Sequence, residues 1–276
     1  KEHVLNFQNP WDVLGYQAVE EAVTLFNNGS FAAAALVLDA PIRSIESLSG
    51  KRTLATLKAL AELYVAWDRF DFKGAADKLQ DVLKNANDLC SLFPTTFQSL
   101  EQTLQEHFHR LNTLQEATGP SNELVGDLLA NACRCARRQR YEDAVARLYR
   151  ATEALAQVRL AELKFPDTAN VPLDALPEAL RHKWRDRAVN GTVKLALQDA
   201  YVLLAELNDP LGTKFRELGL ADRCSPLAAR NDSILAHGFR PISERAYLSL
   251  KERVLSLAGI AEESHLVQFP TLGPCQ

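Results

Sequence analysis

The sequence has 276 residues, 47% of them hydrophobic and 24% charged, with a formal net charge of −4. That length suits one large or two modest domains with a real core, and the slight acidity argues against a protein that coats nucleic acid generally. No apolar run approaches the ~18 residues of a membrane span and no secretory signal pattern opens the chain, so a cytoplasmic location without a membrane partner is expected.

The five cysteines, at positions 90, 133, 135, 224 and 275, form no disulfide or zinc framework, and free thiols in a reducing compartment are the better reading. Methionine is absent, position 1 included, which points to a fragment or a processed chain.

Apolar residues at helical spacing begin at Trp11 and run through Phe26, before Asn27-Asn28-Gly29-Ser30 breaks the pattern. A second, alanine-rich helix is predicted from Phe31 to the residues before Pro41. Further helices are expected over Thr53–Phe70, Phe72–Leu92 and Phe97–Glu116, and Gly119-Pro120 is the clearest break in the chain. Three junctions look alike: an aromatic and then small residues open the partner helix at Phe31-Ala32-Ala33, Phe72-Lys73-Gly74-Ala75-Ala76 and Tyr141-Glu142-Asp143-Ala144. The intervals are unequal, which favours separate helical hairpins over a regular solenoid.

After Pro120, Ser121-Asn122-Glu123 caps a helix to about Gln139, which with Arg140 carries the densest cationic cluster, Arg134, Arg137, Arg138 and Arg140. Tyr141–Phe165 is the longest amphipathic stretch. Residues 166–190 read as a looser segment with a second basic group, Arg181, His182, Lys183, Arg185 and Arg187. Helices are predicted over Thr192–Leu207 and Leu211–Leu220, and Ser243 caps a last one to about Leu257, ahead of a polar tail. Leucine and alanine dominate and alternating β-branched runs are missing, so the fold class is all-α. Trp11, Trp67 and Trp184 are expected in packing roles. His107 and His109, two apart, cannot share a helix face as zinc ligands and are expected at the surface.

The stretch from Cys224 to Gly238 reads as a short helix marked at both ends. Ser225 caps it, Pro226 suits the first helical position, and Gly238 followed by Pro241 ends it. Arg230 and His237 are seven apart, a rotation of about 700°, so both side chains lie on one edge of the apolar stripe of Leu227, Ile234 and Leu235. A guanidinium beside an imidazole forms a phosphate site in which one group stays charged and the other moves a proton near neutral pH. The same spacing also fits an exposed arginine and a helix-end histidine that merely complements the helix dipole.

Arg230-Asn231 followed by His237 resembles the R-x(4–6)-H signature of HEPN ribonucleases, in which a polar residue commonly follows the arginine. Three phrases strengthen the likeness: residues 140–151 (Arg-Tyr-Glu-Asp-Ala-Val-Ala-Arg-Leu-Tyr-Arg-Ala), Leu197-Gln198-Asp199-Ala200-Tyr201, and residues 231–239 (Asn-Asp-Ser-Ile-Leu-Ala-His-Gly-Phe). Together they are similar to the CRISPR-associated ancillary proteins of type III systems that join a CARF sensor domain to a HEPN effector. The resemblance implies irregular helical hairpins over 1–118, a HEPN-like helical bundle over 119–262 and a tail over 263–276. It implies Arg230 and His237 as the catalytic pair with Asn231 in support, single-stranded RNA as substrate, 2′-OH attack without metal or cofactor, and a homodimer that doubles the pair. No βαβ pattern is present, so the cyclic oligoadenylate sensor is expected only in a parent protein. The Arg134–Arg140 cluster then becomes a candidate RNA guide, against the simpler reading of a solvated helix face. The rival for the whole chain is a non-catalytic helical scaffold with a degenerate motif.

Overall fold

The computed structural model describes residues 10–222, Leu227 and residues 241–273, with side chains from residue 15. An ending helix leaves its last carbonyls unpaired, and this chain solves that problem repeatedly in one way. Residues 29, 70, 139, 164, 208, 219 and 259 all take positive φ, between 57° and 74°. Each allows the next residue's N–H to reach back five positions to a helical carbonyl, as Ser30 does to Leu25 at 2.8 Å and Arg140 to Cys135 at 3.0 Å. At four of these closures the residue that makes the bond is also the cap of the following helix: Ser30, Asp71, Arg140 and Asp209. At these four closures helix therefore follows helix with only three residues between them.

The chain divides into two units, residues 1–116 with 269–276, and residues 117–268. The first contains α1 (Pro10–Asn27), α2 (Phe31–Val37), α3 (Asp39–Ser44), α4 (Leu48–Asp68), α5 (Phe72–Lys84), α6 (Asn87–Cys90) and α7 (Phe97–Glu116). Pro41 does not end the second helical stretch but sits in the first turn of α3, where an absent N–H leaves no bond unmade. Helix α4 starts at Leu48 rather than Thr53, because the Ser47 hydroxyl accepts the Gly50 N–H at 3.2 Å. Helix α5 stops at Lys84, where Asn85 turns its side chain back onto the Asp81 carbonyl at 2.9 Å.

The core of this unit is aromatic. Tyr64 and Trp67 stack with ring centroids 6.2 Å apart, Phe26 meets Tyr64 edge-on, and Phe31 lies tilted against it. His107 belongs to this core and not to the surface. It continues the buried stripe Leu100, Leu104, Leu111, Leu114 of α7, and its Nδ1 lies 3.0 Å from the Tyr64 hydroxyl. His109, on the other face, is exposed. The segment after residue 268 is packed here as well: the Phe269 ring lies 4.4 Å from that of Tyr64, and Leu272 exchanges two hydrogen bonds with the Asn27 amide.

The second unit begins with α8 (Asn122–Arg137), capped by the Ser121 hydroxyl, and α9 (Tyr141–Glu162). A short α10 (Glu178–Trp184), α11 (Leu197–Glu206), α12 (Pro210–Glu217) and α13 (Glu244–Leu257) follow. The helix expected from Thr192 does not start there. Val171–Pro172 (β1) pairs antiparallel with Thr192–Val193 (β2), and Asn190 and Gly191, with φ of 52° and 76°, make the turn that delivers β2. Asn-Gly is the strongest short hairpin signal, since both residues tolerate left-handed backbone, and here it outweighs the helical pattern downstream. These two-residue strands are the only sheet among the described residues, and the fold is all-α.

Two side-chain contacts, one buried and one at the edge of the bundle, fix α11 and α12 against α9. The Tyr201 hydroxyl donates to the Thr152 carbonyl at 2.9 Å, and Arg159 pairs with the buried Asp209 at 2.7 Å while Asp209 also caps α12 through the Leu211 N–H. Trp184 and Tyr201 are almost fully buried, and Tyr201 stacks on Phe215 at 3.8 Å.

Helices α11 and α12 approach so closely that a Cβ on Gly212 would lie 2.3 Å from the Ala205 backbone nitrogen. Backbone cannot yield as a flexible side chain can. Gly212→Ala is expected to destabilise the chain by about 1–3 kcal/mol, read as a lower urea midpoint at constant m. A Cβ on Gly119 would meet nothing within 4 Å, so Gly119→Ala should stay within about 0.5 kcal/mol of the parent.

Candidate functional site

Arg230, Asn231 and His237 lie outside the described residues, and so does the short helix expected around them, except for Leu227, which is helical and 3% exposed. What the structure describes is the frame on either side of that segment.

On the entry side, α12 ends at Glu217 with Leu218 as its C-cap, and Gly219 at φ 63° turns the chain so that Leu220 is fully buried. Two side chains then hold the backbone. Arg253, from α13, donates through Nη1 to the Leu218 carbonyl at 3.0 Å, and Gln198, from the first turn of α11, donates through Nε2 to the Leu220 carbonyl at 3.3 Å.

On the exit side, the Ile242 N–H donates to Oε1 of Glu142 at 3.1 Å, a bond that joins residues 100 apart in sequence. Ile242 itself is 7% exposed. The following turn is held by Tyr141, whose ring lies 5.9 Å from that of Tyr247. Burial, together with the charge of Glu244, pushes the Tyr141 phenol above its ordinary pKa, so it remains a neutral donor.

Glu142 and Gln198 each stand in one of the two phrases at residues 140–151 and 197–201, and each binds one border of the segment that holds the third. This clustering is the physical content of phrases that look unrelated along the chain. Arg253 carries no such signal, because nothing local in the sequence foretells a side chain bonding a carbonyl 35 residues away.

The cationic cluster does not form one open face. Arg134 is 9% exposed and lies in the bundle. Arg137 pairs with Glu263 at 2.7 Å and Arg140 with Asp143 at 2.6 Å, although their side chains stay 59% and 55% exposed. Arg138 donates to the Arg134 carbonyl at 3.2 Å. In the second basic group, Arg187 forks onto Asp199 at 2.6 and 3.0 Å and Arg181 donates to the Asp174 and Leu176 carbonyls, so both arginines serve the local structure.

Near Arg137, α8 and α13 enclose a second polar group. Burial pushes the Cys133 thiol upward and the charge of Glu263 adds to this; burial likewise raises the Tyr247 phenol, with Cys133 adding. Burial would also raise the Glu263 carboxyl, but its bonds to Lys251 and Arg137 outweigh that and hold it below the usual carboxylate range. Cys133 is therefore a protonated thiol within the core and not a nucleophile. Cys90, Cys133 and Cys135 are free thiols, and no described group of three His, Cys, Asp or Glu residues could hold a metal ion. No described helix is long and apolar enough to cross a membrane.

Comparison with known proteins gives two family matches. The Csm6 6H domain family matches residues 14–109 and the Csm6 HEPN domain family matches residues 114–260. No curated protein matches the chain. The HEPN match spans more than half of the sequence and includes both the motif and its bracing residues, and the chain belongs to the Csm6-like HEPN proteins, ancillary proteins of type III CRISPR systems.

Proposed function

We propose that this chain is the helical part of an endoribonuclease of type III CRISPR antiviral defence. On this reading it cleaves single-stranded RNA without metal or cofactor and leaves a 2′,3′-cyclic phosphate and a 5′-hydroxyl. The observation that carries this reading is the placement of Arg230-x6-His237 within the residues matched to the Csm6 HEPN domain.

RNA supplies its own nucleophile, the 2′-OH, so the protein has two tasks: to move protons and to stabilise charge on the phosphorane oxygens. His237 acts as general base or acid, Arg230 grips two phosphate oxygens with its fork of donors, and Asn231 orients the histidine. In-line cleavage profits from two proton-transfer groups, and one chain supplies a single motif histidine. An isologous dimer, with the two motif segments facing across a two-fold axis, completes the site. Unpaired strands are favoured because in-line attack needs a flexible backbone. Cyclic oligoadenylate acts through a sensor domain of the parent protein.

The test is cleavage of labelled single-stranded RNA in EDTA. The parent chain is expected to cut and to leave cyclic phosphate ends, and His237→Ala and Arg230→Ala are each expected to lose at least about 10²-fold in rate. Full activity in His237→Ala would overturn the assignment.

The described arginines give a second, independent expectation. Arg137→Ala and Arg140→Ala should weaken RNA binding without regard to sequence. Each should flatten the slope of log affinity against log salt by about 0.7, the signature of one lost phosphate contact on a single strand. Arg134→Ala should leave that slope unchanged and instead lower the unfolding midpoint, because Arg134 is packed in the bundle.

A further inference from the structure

We propose that the first unit carries a recognition site for a short, non-helical peptide that presents a phenylalanine and, three residues on, a leucine followed by glycine. The chain fills this site with its own residues 269–273 and releases it by local opening, without unfolding the unit. The inference does not depend on the ribonuclease reading.

The site has two anchors. The first is a cradle of rings: the Phe269 ring lies 4.4 Å from that of Tyr64, 5.2 Å from Trp67, 5.7 Å from Phe31 and 6.2 Å from His107. At such spacings aromatic pairs attract beyond what their buried area alone supplies. The cradle is rigid, because Tyr64 and Trp67 are almost fully buried and the Tyr64 hydroxyl meets His107 Nδ1 at 3.0 Å. The second anchor is the Asn27 amide, which grips main chain in both directions. Its Nδ2 donates to the Leu272 carbonyl at 2.9 Å, and its Oδ1 accepts the Leu272 N–H at 2.8 Å.

Main-chain bonds of this kind give a bound peptide its affinity, and side-chain pockets give selection. Selection here falls on three positions. Phe269 enters the cradle and Leu272 is 3% exposed. At Gly273 a Cβ would lie 2.9 Å from Thr96 Oγ1, so the residue after the leucine must be small.

The attachment is also separable from the unit it completes. The chain leaves the first unit at residue 116 and returns to it at 269, and the Csm6 6H family match, residues 14–109, stops short of this segment. Residues 269–273 form no helix or strand, Pro270 has no N–H to donate, and Thr271 is exposed. Attachment rests chiefly on one ring, one leucine and one side-chain amide, without the continuous backbone ladder that holds a helix. Such a segment opens at a lower free energy than the core beneath it.

The experiment has two arms, both on the full chain. In native-state amide exchange, the Leu272 N–H of the parent is expected to exchange at least about 10²-fold faster than the Tyr64 and Trp67 amides of α4. Asn27→Ala should speed Leu272 by about a further tenfold and leave Tyr64 and Trp67 within about threefold. In the second arm a synthetic peptide of residues 266–273 is titrated against Phe269→Ala, whose own segment lacks its main anchor. Saturable binding is expected, and the same peptide with Phe269→Ala should bind at least about tenfold more weakly. The parent chain should also bind the peptide at least about tenfold more weakly than the variant does, because its tethered segment competes at an effective concentration of about millimolar. Where Phe269→Ala does not fold, Asn27→Ala takes its place in the titration with the same expected order. The proposal is overturned if Leu272 exchanges as slowly as Tyr64 and Trp67, if the folded variant binds no peptide, or if both peptides bind equally.

Discussion

The left-handed residue at the end of a helix is the constraint on which this fold depends. By reversing the backbone it lets one N–H satisfy a carbonyl five residues back and points the chain at once along an antiparallel path. At Ser30, Asp71, Arg140 and Asp209 the residue that closes one helix caps the next, so neighbouring helices are bound to pack side by side. The packing faces accept this because they are lined with small residues. Ala130 and Ala132 of α8 and Ala144, Ala151, Ala154 and Ala156 of α9 are all nearly inaccessible, and short side chains let two helix backbones approach closely. A left-handed conformation costs a non-glycine residue about 1–2 kcal/mol, so its use at Phe70, Gln139, Lys164 and Asn208 makes sense only where the closing bond and the helix contact behind it return more.

Within the second unit α9 acts as a ruler, and three contacts along its length register the elements packed against it. At its start, Tyr141 and Glu142 take hold of residues 242–247. In its middle, the Thr152 carbonyl receives the Tyr201 hydroxyl and registers α11. Near its end, Arg159 donates to Asp209 and registers α12. Asp209 is a buried charge, costly unless fully engaged, and it is engaged twice, by a guanidinium and by a helix-end N–H. Such paired groups specify a register more sharply than apolar packing does, because a slip of one turn would strand the charge.

Helix existence was legible in the sequence wherever the period was long and the cap was a serine, as at Phe97–Glu116, Ser121 and Ser243. The likeness among Phe31, Phe72 and Tyr141 was legible too, but its cause was not. Glycine marks only three of the seven left-handed closures and Asn208 a fourth, whereas Phe70, Gln139 and Lys164 give no local sign of theirs. Asn190-Gly191 did give a sign, and the helical pattern after it masked the hairpin. His107 shows the opposite failure. Histidine reads as a surface residue by composition, whereas its place on the stripe of Leu100, Leu104, Leu111 and Leu114 puts it in the core, with Tyr64 to satisfy its ring nitrogen.

The candidate site divides along the same line. The motif is a local pattern, so spacing and resemblance could reach Arg230, Asn231 and His237, whereas the bonds that border it join residues 22, 35 and 100 apart. Such bonds leave no periodic trace, because a glutamate that grips a distant amide looks in sequence like any acidic residue in a first helical turn. What sequence does hold is the company these residues keep. Glu142 and Gln198 appear inside phrases whose likeness to a family exceeded anything that helix formation alone would require. Each of the two bonds a border of the motif segment, Glu142 at Ile242 and Gln198 at Leu220. The motif and the bonds at the borders of its segment are thus reached by different routes, the one from a local pattern and the other only from the fold.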